Sequence, residues 1–236
     1  MENEIQKIGK SNTSRIIEET LRSLVEGITG IAASNKSRLM LSLGHILQRI
    51  RSGNFLSQVL KEWSYFKEKG KIKDDYQYTE QHYNCLHEML DSLEKDIPED
   101  IRFQLLKKIF LVASTEQFSS RDSVLPQQYM KICRTLSSGA ILLLITNYEI
   151  SFEEGWKKDR KKYSSSTWIK QMQDRCILHN EELVEIYEEE LEKKRLLLPR
   201  IYSDRSGVRI GDQFRLTKLG FEICEYLSNY EKIEKA

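Results

Sequence analysis

Apolar residues recur every three or four positions along the first half of the chain, which is the spacing of a helix face. Helical stretches are predicted over residues 39–50, 56–66, 79–95, 98–114 and 124–136, and residues 67–78 are predicted to be a polar linker. A seam two heptads long precedes them, formed by Ile17, Leu21, Leu24, Ile28 and Ile31. Because the chain has only 3 Pro and 11 Gly, long helices are favoured over turn-rich β structure. We therefore predict a flexible N-terminus over residues 1–12 and a helical bundle over residues 13–136.

The pattern changes after residue 136. Helices are predicted over residues 140–148, 166–178, 180–198 and 218–230. Between the last two, Asp204-Arg205-Ser206-Gly207 is typical of a turn, and residues 208–210 and 214–216 alternate as strands do. Helix, helix, long helix and hairpin is the order of a winged helix-turn-helix. The sequence thus predicts a mainly α protein, an N-terminal helical bundle followed by a C-terminal winged-helix-like module with one short β-hairpin over residues 137–230, and a tail over residues 231–236.

The helix predicted over residues 180–198 has two unlike faces when residues are spaced at about 100°. One arc is apolar and is expected to face the core: Leu183, Val184, Ile186, Tyr187, Leu191, Leu197 and Leu198. The opposite arc is acidic: Glu181, Glu182, Glu185, Glu188, Glu189 and Glu192. A row of carboxylates repels the phosphates of a DNA duplex, so this helix is not expected to read DNA. It is either an ordinary solvated face or a docking surface for a basic protein partner, with Glu182, Glu185, Glu189 and Glu192 as the protein-binding residues.

Basic residues on either side of this helix keep nucleic-acid binding as an alternative. Residues 157–162 contain five basic side chains and one acidic one, and further cations lie around the predicted hairpin. They could contact phosphate without reading bases, although a solvated lysine-rich loop is the more common explanation. The candidate residues are Lys157, Lys158, Arg160, Lys161, Lys162, Arg205 and Arg209, with Arg200, Arg215 and Lys218 nearby.

Composition narrows the class of protein only slightly. With 39% hydrophobic and 31% charged residues, the chain resembles an ordinary charge-rich helical protein, and its net charge of +1 gives no overall attraction to nucleic acid or acidic membranes. Its four cysteines are scattered singly, and neither a secretory signal nor a membrane span is recognisable. A cytoplasmic protein with reduced thiols is therefore expected.

Candidate chemical groups are few. His82, Cys85 and His87 are of types that bind zinc, but on a helix His87 points away from the other two, and no second ligand pair follows. Packing explains them better, so no metal and no cofactor are expected. Arg38 and His45 fit the loosest Arg-then-His spacing of HEPN ribonucleases, in which a cation stabilises the phosphate and His moves a proton. Since the residue directly after Arg38 is the apolar Leu39 and not a polar one, this enzyme is the third hypothesis.

The end of the chain resembles a known family. The segment Leu142-Leu-Leu-Ile145, the segment Lys194-Arg-Leu-Leu-Leu198 and the closing stretch Phe214-Arg-Leu-Thr-Lys-Leu-Gly220 with the helix that follows look like the C-terminal part of Abi-alpha-like bacterial proteins, which are associated with abortive infection. This resemblance covers about the last hundred residues and implies a setting, phage defence, without a catalytic motif. The leading hypothesis is a non-enzymatic protein-interaction or regulatory module that binds a protein partner or self-associates. A sequence-nonspecific nucleic-acid binder comes second.

Overall fold

The computed structural model describes residues 49–95, 99–115, 124–153, 165–178, 180–199, 201–204, 207–210 and 215–235, together with Ser37, Leu39, Leu41, Ser42, His45 and Ile46. It is mainly helical, as predicted. The chain divides into two compact units, one up to Lys131 and one from Ile132 onward. The predicted N-terminus over residues 1–12 and the seam from Ile17 to Ile31 lie outside the described residues.

The first unit contains helices α1 (Ile50–Glu68), α2 (Glu80–Lys95) and α3 (Asp100–Ala113), and α4 (Leu125–Cys133) crosses the boundary between the units. Aromatic contacts join these helices: Phe55 of α1 stacks on Phe103 of α3 with ring centroids 4.2 Å apart, and Trp63 lies 5.2 Å from Phe110. Helix α1 begins before the predicted stretch, because Ser52 is fully buried and donates a hydrogen bond to the Leu93 carbonyl. Packing against α2 thus extends the helix.

The segment between α1 and α2 is not the polar linker that the sequence predicts. Gly70 adopts a left-handed φ of 66° just past the end of α1, where glycine avoids a steric penalty. Ile72 then pairs with Thr115 in an antiparallel bridge, and a short 3-10 helix covers Tyr76–Tyr78. Ile72 and Tyr76 are both buried. Two apolar side chains at this spacing therefore anchor the segment to the core.

The second unit contains helices α5 (Ser138–Ile150), α6 (Ser165–Cys176), α7 (Glu181–Lys193) and α8 (Lys218–Lys235). Strands β1 (Ile201–Asp204) and β2 (Gly207–Ile210) pair antiparallel with Asp204 opposite Gly207. Leu216, in the alternating segment after β2, instead forms an isolated bridge with Leu197. Residues 231–235, predicted to be a tail, continue helix α8.

A local signal fixes the start of α7, and packing fixes its end. Asn180 caps its start, with the side chain accepting a hydrogen bond from the Glu182 N–H at 2.9 Å. The helix ends at Lys193, before the predicted end at residue 198, and Arg195 takes a left-handed φ of 58°. The chain then turns so that Leu196 and Leu197 are buried. Burial of these two leucines in the core accounts for the earlier end.

Candidate functional site

Helix α7 packs against α5 and α6 through a face centred on Val184 and Leu191, both fully buried. Tyr187 lies on the same side, and its ring packs so closely against Gly139 of α5 that a β-carbon there would require the ring to move. These contacts fix the rotation of α7 about its axis. They therefore decide which side chains the helix presents to solvent.

The buried face differs from the predicted apolar arc. Glu188, which was predicted to be solvent-exposed, is only 3% exposed, whereas Leu183 and Ile186, which were predicted to be buried, are 37% and 56% exposed. Leu198, also assigned to the apolar arc, is 54% exposed. The cause is that the inward face runs through Val184, Glu188 and Leu191, one turn apart on the helix. A glutamate thus occupies a core position, and two large apolar residues face solvent.

Glu188 is buried because it has charged and polar partners. Its Oε1 lies 2.5 Å from Arg215 Nη2 and accepts a hydrogen bond from Trp168 Nε1 at 3.0 Å. Arg215 is itself only 4% exposed, and its Nη1 donates to Glu192 Oε1 and to the Leu198 carbonyl, each at 2.9 Å. This buried cluster joins α6, α7 and the segment that enters α8. Two of the glutamates in the predicted acidic arc therefore hold the fold together.

Glu190 also has a structural partner. Its two carboxylate oxygens accept hydrogen bonds from the Ser137 backbone N–H at 2.7 Å and from the Ser137 hydroxyl at 2.6 Å. The same serine oxygen accepts a hydrogen bond from the Ala140 N–H and caps α5. Glu190 therefore ties the last turn of α7 to the start of α5.

The remaining exposed side chains of α7 form a mixed surface. Of the four predicted protein-binding residues, Glu182, Glu185 and Glu189 are exposed, while Glu192 is partly buried against Arg215. Glu189 forms an exposed ion pair with Lys193 at 3.4 Å. Leu183 and Ile186 lie among these carboxylates. We call this surface the α7 face and define it as Glu182, Leu183, Glu185, Ile186 and Glu189.

The structure gives little support to the candidate nucleic-acid-binding residues. Lys157, Lys158, Arg160, Lys161, Lys162, Arg200 and Arg205 lie outside the described residues. Arg209 is in β2, opposite Tyr202 of β1. Arg215, counted as a wing cation in the sequence, is buried in the ion cluster, so its guanidinium cannot reach a phosphate. Lys218 is exposed and lies 3.6 Å from Glu222.

His82, Cys85 and His87 have different environments. His82 is fully buried, with its ring near those of Trp63, Tyr76 and Phe110, at centroid distances of 5.2, 5.3 and 5.7 Å. Burial raises the pKa of the Cys85 thiol to about 12, which keeps it protonated. His87 instead lines a small cleft with Tyr83, Asp91 and Glu94. Within the described ranges, no group of three or more His, Cys, Asp or Glu side chains is arranged to hold a metal ion.

Of the HEPN-like pair, Arg38 lies outside the described residues. His45 is exposed, and its Nδ1 lies 3.6 Å from Glu94 Oε1. The other oxygen of Glu94 accepts a hydrogen bond from the Ser42 hydroxyl at 2.8 Å. At this distance the two groups are not hydrogen-bonded, so the contact does not fix the orientation of the exposed imidazole.

Sequence reasoning missed one further feature, the turn between α6 and α7. Ile177 has a left-handed φ of 54°, and its side chain is 78% exposed. A β-branched residue is strained in this conformation, which glycine adopts freely. No local sequence signal predicts a left-handed isoleucine.

A search of known protein families, curated proteins and solved structures finds no match for this chain. None of the helices in the described segments is both long enough and apolar enough to cross a membrane. The site is therefore interpreted from its own geometry and charge.

Proposed function

We propose that the second unit is a winged-helix-like module that works as a non-enzymatic docking module for a basic protein partner. The order of elements supports the fold, since three helices are followed by a two-stranded antiparallel sheet and a last helix. In such a module α7 occupies the position of the helix that reads DNA in winged-helix proteins. The resemblance to Abi-alpha-like proteins suggests regulation in phage defence as the setting.

The observation that carries this proposal is the charge of the α7 face. Three exposed carboxylates, those of Glu182, Glu185 and Glu189, lie on one surface, and Lys193 is the cation paired with one of them. A nucleic acid would lose affinity here, because its binding comes from cations that displace counterions. A basic protein surface would instead be attracted, and the attraction would speed association.

The test is a charge reversal at the three exposed glutamates. The variant Glu182→Lys/Glu185→Lys/Glu189→Lys should fold normally, because single exposed charges on a helix contribute only about 0.2–0.5 kcal/mol per pair. Glu192 is left unchanged because its replacement would remove a partner of buried Arg215. Tagged protein is used to capture partners from its host, and bound proteins are quantified by mass spectrometry. We expect the reversal to remove the proteins that the wild type enriches.

A matched control carries the same change in charge elsewhere in the unit. Glu225, Glu231 and Glu234 are exposed on α8, and their replacement by Lys should leave capture unchanged. Enrichment of the same proteins by the α7 variant would contradict the proposal. Duplex DNA binding by the wild type, weakening steeply with salt, would favour the nucleic-acid alternative instead.

A further inference from the structure

The two apolar residues of the α7 face occupy its centre. Ile186 points away from the buried face, with Glu182 and Leu183 four and three residues before it and Glu189 and Glu190 three and four residues after it. Leu183 and Ile186 therefore form a short apolar ridge, and the exposed carboxylates of Glu182, Glu185 and Glu189 lie together on one side of it. An exposed isoleucine at the centre of a helix face is not explained by packing within the unit.

We infer that the partner presents an amphipathic helix, whose apolar stripe packs on Leu183 and Ile186 and whose flanking Lys and Arg side chains pair with Glu182, Glu185 and Glu189. This inference rests on the proposed function and adds the chemistry of the partner. Residues three apart on a helix form a ridge that fits the groove of a second helix. A second copy of α7 is a poor occupant, because it would place carboxylates against carboxylates.

The test uses defined peptides and the full-length protein. One fluorescent peptide of about four helical turns contains Leu and Lys, with the leucines on one face. A second peptide has the same composition, but its order is scrambled so that the leucines no longer share a face. Binding is measured by fluorescence anisotropy. We expect the amphipathic peptide to bind at least about tenfold more tightly than the scrambled one.

Variants locate the binding site. Ile186→Ser should weaken binding of the amphipathic peptide about tenfold, since it removes one apolar anchor. Phe152→Ser is the matched control, because Phe152 is an exposed apolar residue of the same unit, 64% accessible, outside the α7 face.

The outcomes separate this inference from the proposed function. Equal binding of the two peptides, abolished by the triple Lys variant, would overturn the amphipathic helix and keep the acidic docking surface. Binding of neither peptide would overturn the amphipathic helix and leave the acidic docking surface to the capture experiment, whereas peptide binding that the triple Lys variant leaves unchanged would overturn both. Loss of binding in Phe152→Ser and not in Ile186→Ser would place the site elsewhere in the unit and overturn the inference.

Discussion

Arg215 is a charged residue in the core. Such a residue is tolerated only when its charge is paired and its donors are hydrogen-bonded. It lies between Glu188 and Glu192 and also binds the Leu198 carbonyl. Breaking a buried ion pair from one side leaves an uncompensated charge, which costs more than the pair itself contributes. The cluster therefore fixes the position of α7 relative to the start of α8.

Replacing Arg215 tests this role. We expect Arg215→Met to lower the free energy of unfolding by ~3–5 kcal/mol, measured by urea denaturation, because Glu188 would lose its buried cationic partner. Adding Glu188→Gln should recover most of the loss, since a neutral amide oxygen can still accept the hydrogen bond from Trp168. Lys218→Met, which removes an exposed cation three residues away, should change stability little. Equal losses in the single and double variants would show that the charge of Glu188 is not the source of the loss, which would then come from packing and from the hydrogen bonds of Arg215 to Glu192 and the Leu198 carbonyl.

At the level of elements, two helical glycines mark close contacts of different kinds. A β-carbon on Gly220 of α8 would lie 2.5 Å from the backbone oxygen of Leu196, whereas one on Gly139 of α5 would meet the ring of Tyr187. Backbone cannot move out of the way without shifting the chain, but a half-buried tyrosine ring can rotate. A β-carbon should therefore cost more stability at Gly220 than at Gly139, although both glycines lie in helices.

The pair of substitutions Gly220→Ala and Gly139→Ala provides the comparison. Each substitution gains up to about 1 kcal/mol of helix propensity. A difference between their free energies of unfolding therefore measures the steric overlap that each new methyl group meets. We expect Gly220→Ala to lower the free energy of unfolding by ~1–3 kcal/mol through overpacking and Gly139→Ala to lower it less. Chemical denaturation measures both. A Gly220→Ala protein more stable than the wild type would contradict the close contact with Leu196.

The helices could be predicted from the sequence because their apolar periodicity is strong, but their limits depend on packing. The end of α7 follows from burial of Leu196 and Leu197, which no periodicity reports. The acidic character of α7 could be predicted, because its glutamates are visible in the sequence. The burial of Glu188 was not, because its partners Trp168 and Arg215 are distant in sequence. The left-handed φ of Ile177 is likewise set by the turn and not by the residue type.

At the scale of the whole molecule, the charges nearly cancel, with a net charge of +1. Recognition therefore depends on where charge is concentrated and not on the total. Screening limits the reach of exposed charges to about 8–10 Å at physiological salt. The α7 face would consequently act on a partner only at short range, where its apolar ridge also makes contact.

The buried thiols give both units a common response to pH. All four cysteines are buried and none is in a disulfide bond. Burial raises the pKa of Cys85 in the first unit and of Cys133 in the second from 9.0 to about 12, and it also raises the pKa values of Cys176 and Cys224. Between the unfolded pKa of 9.0 and the folded pKa of about 12, the folded protein retains thiol protons that the unfolded chain releases. Stability is thus unaffected by these thiols below pH 9 and falls as pH rises toward 12.

We expect the free energy of unfolding to decline above pH 9 by up to about 1.4 kcal/mol per pH unit for each buried thiol, measured by urea denaturation between pH 8 and pH 11. The variant Cys85→Ala/Cys133→Ala keeps every tyrosine and lysine that titrates in this range, so its difference from the wild type isolates the two thiols. Its stability should fall less steeply with pH, even if it starts lower at pH 8 because two buried sulfur atoms are lost. Identical slopes in the two proteins would mean that the thiols ionise in the folded state and that the interiors of both units admit solvent.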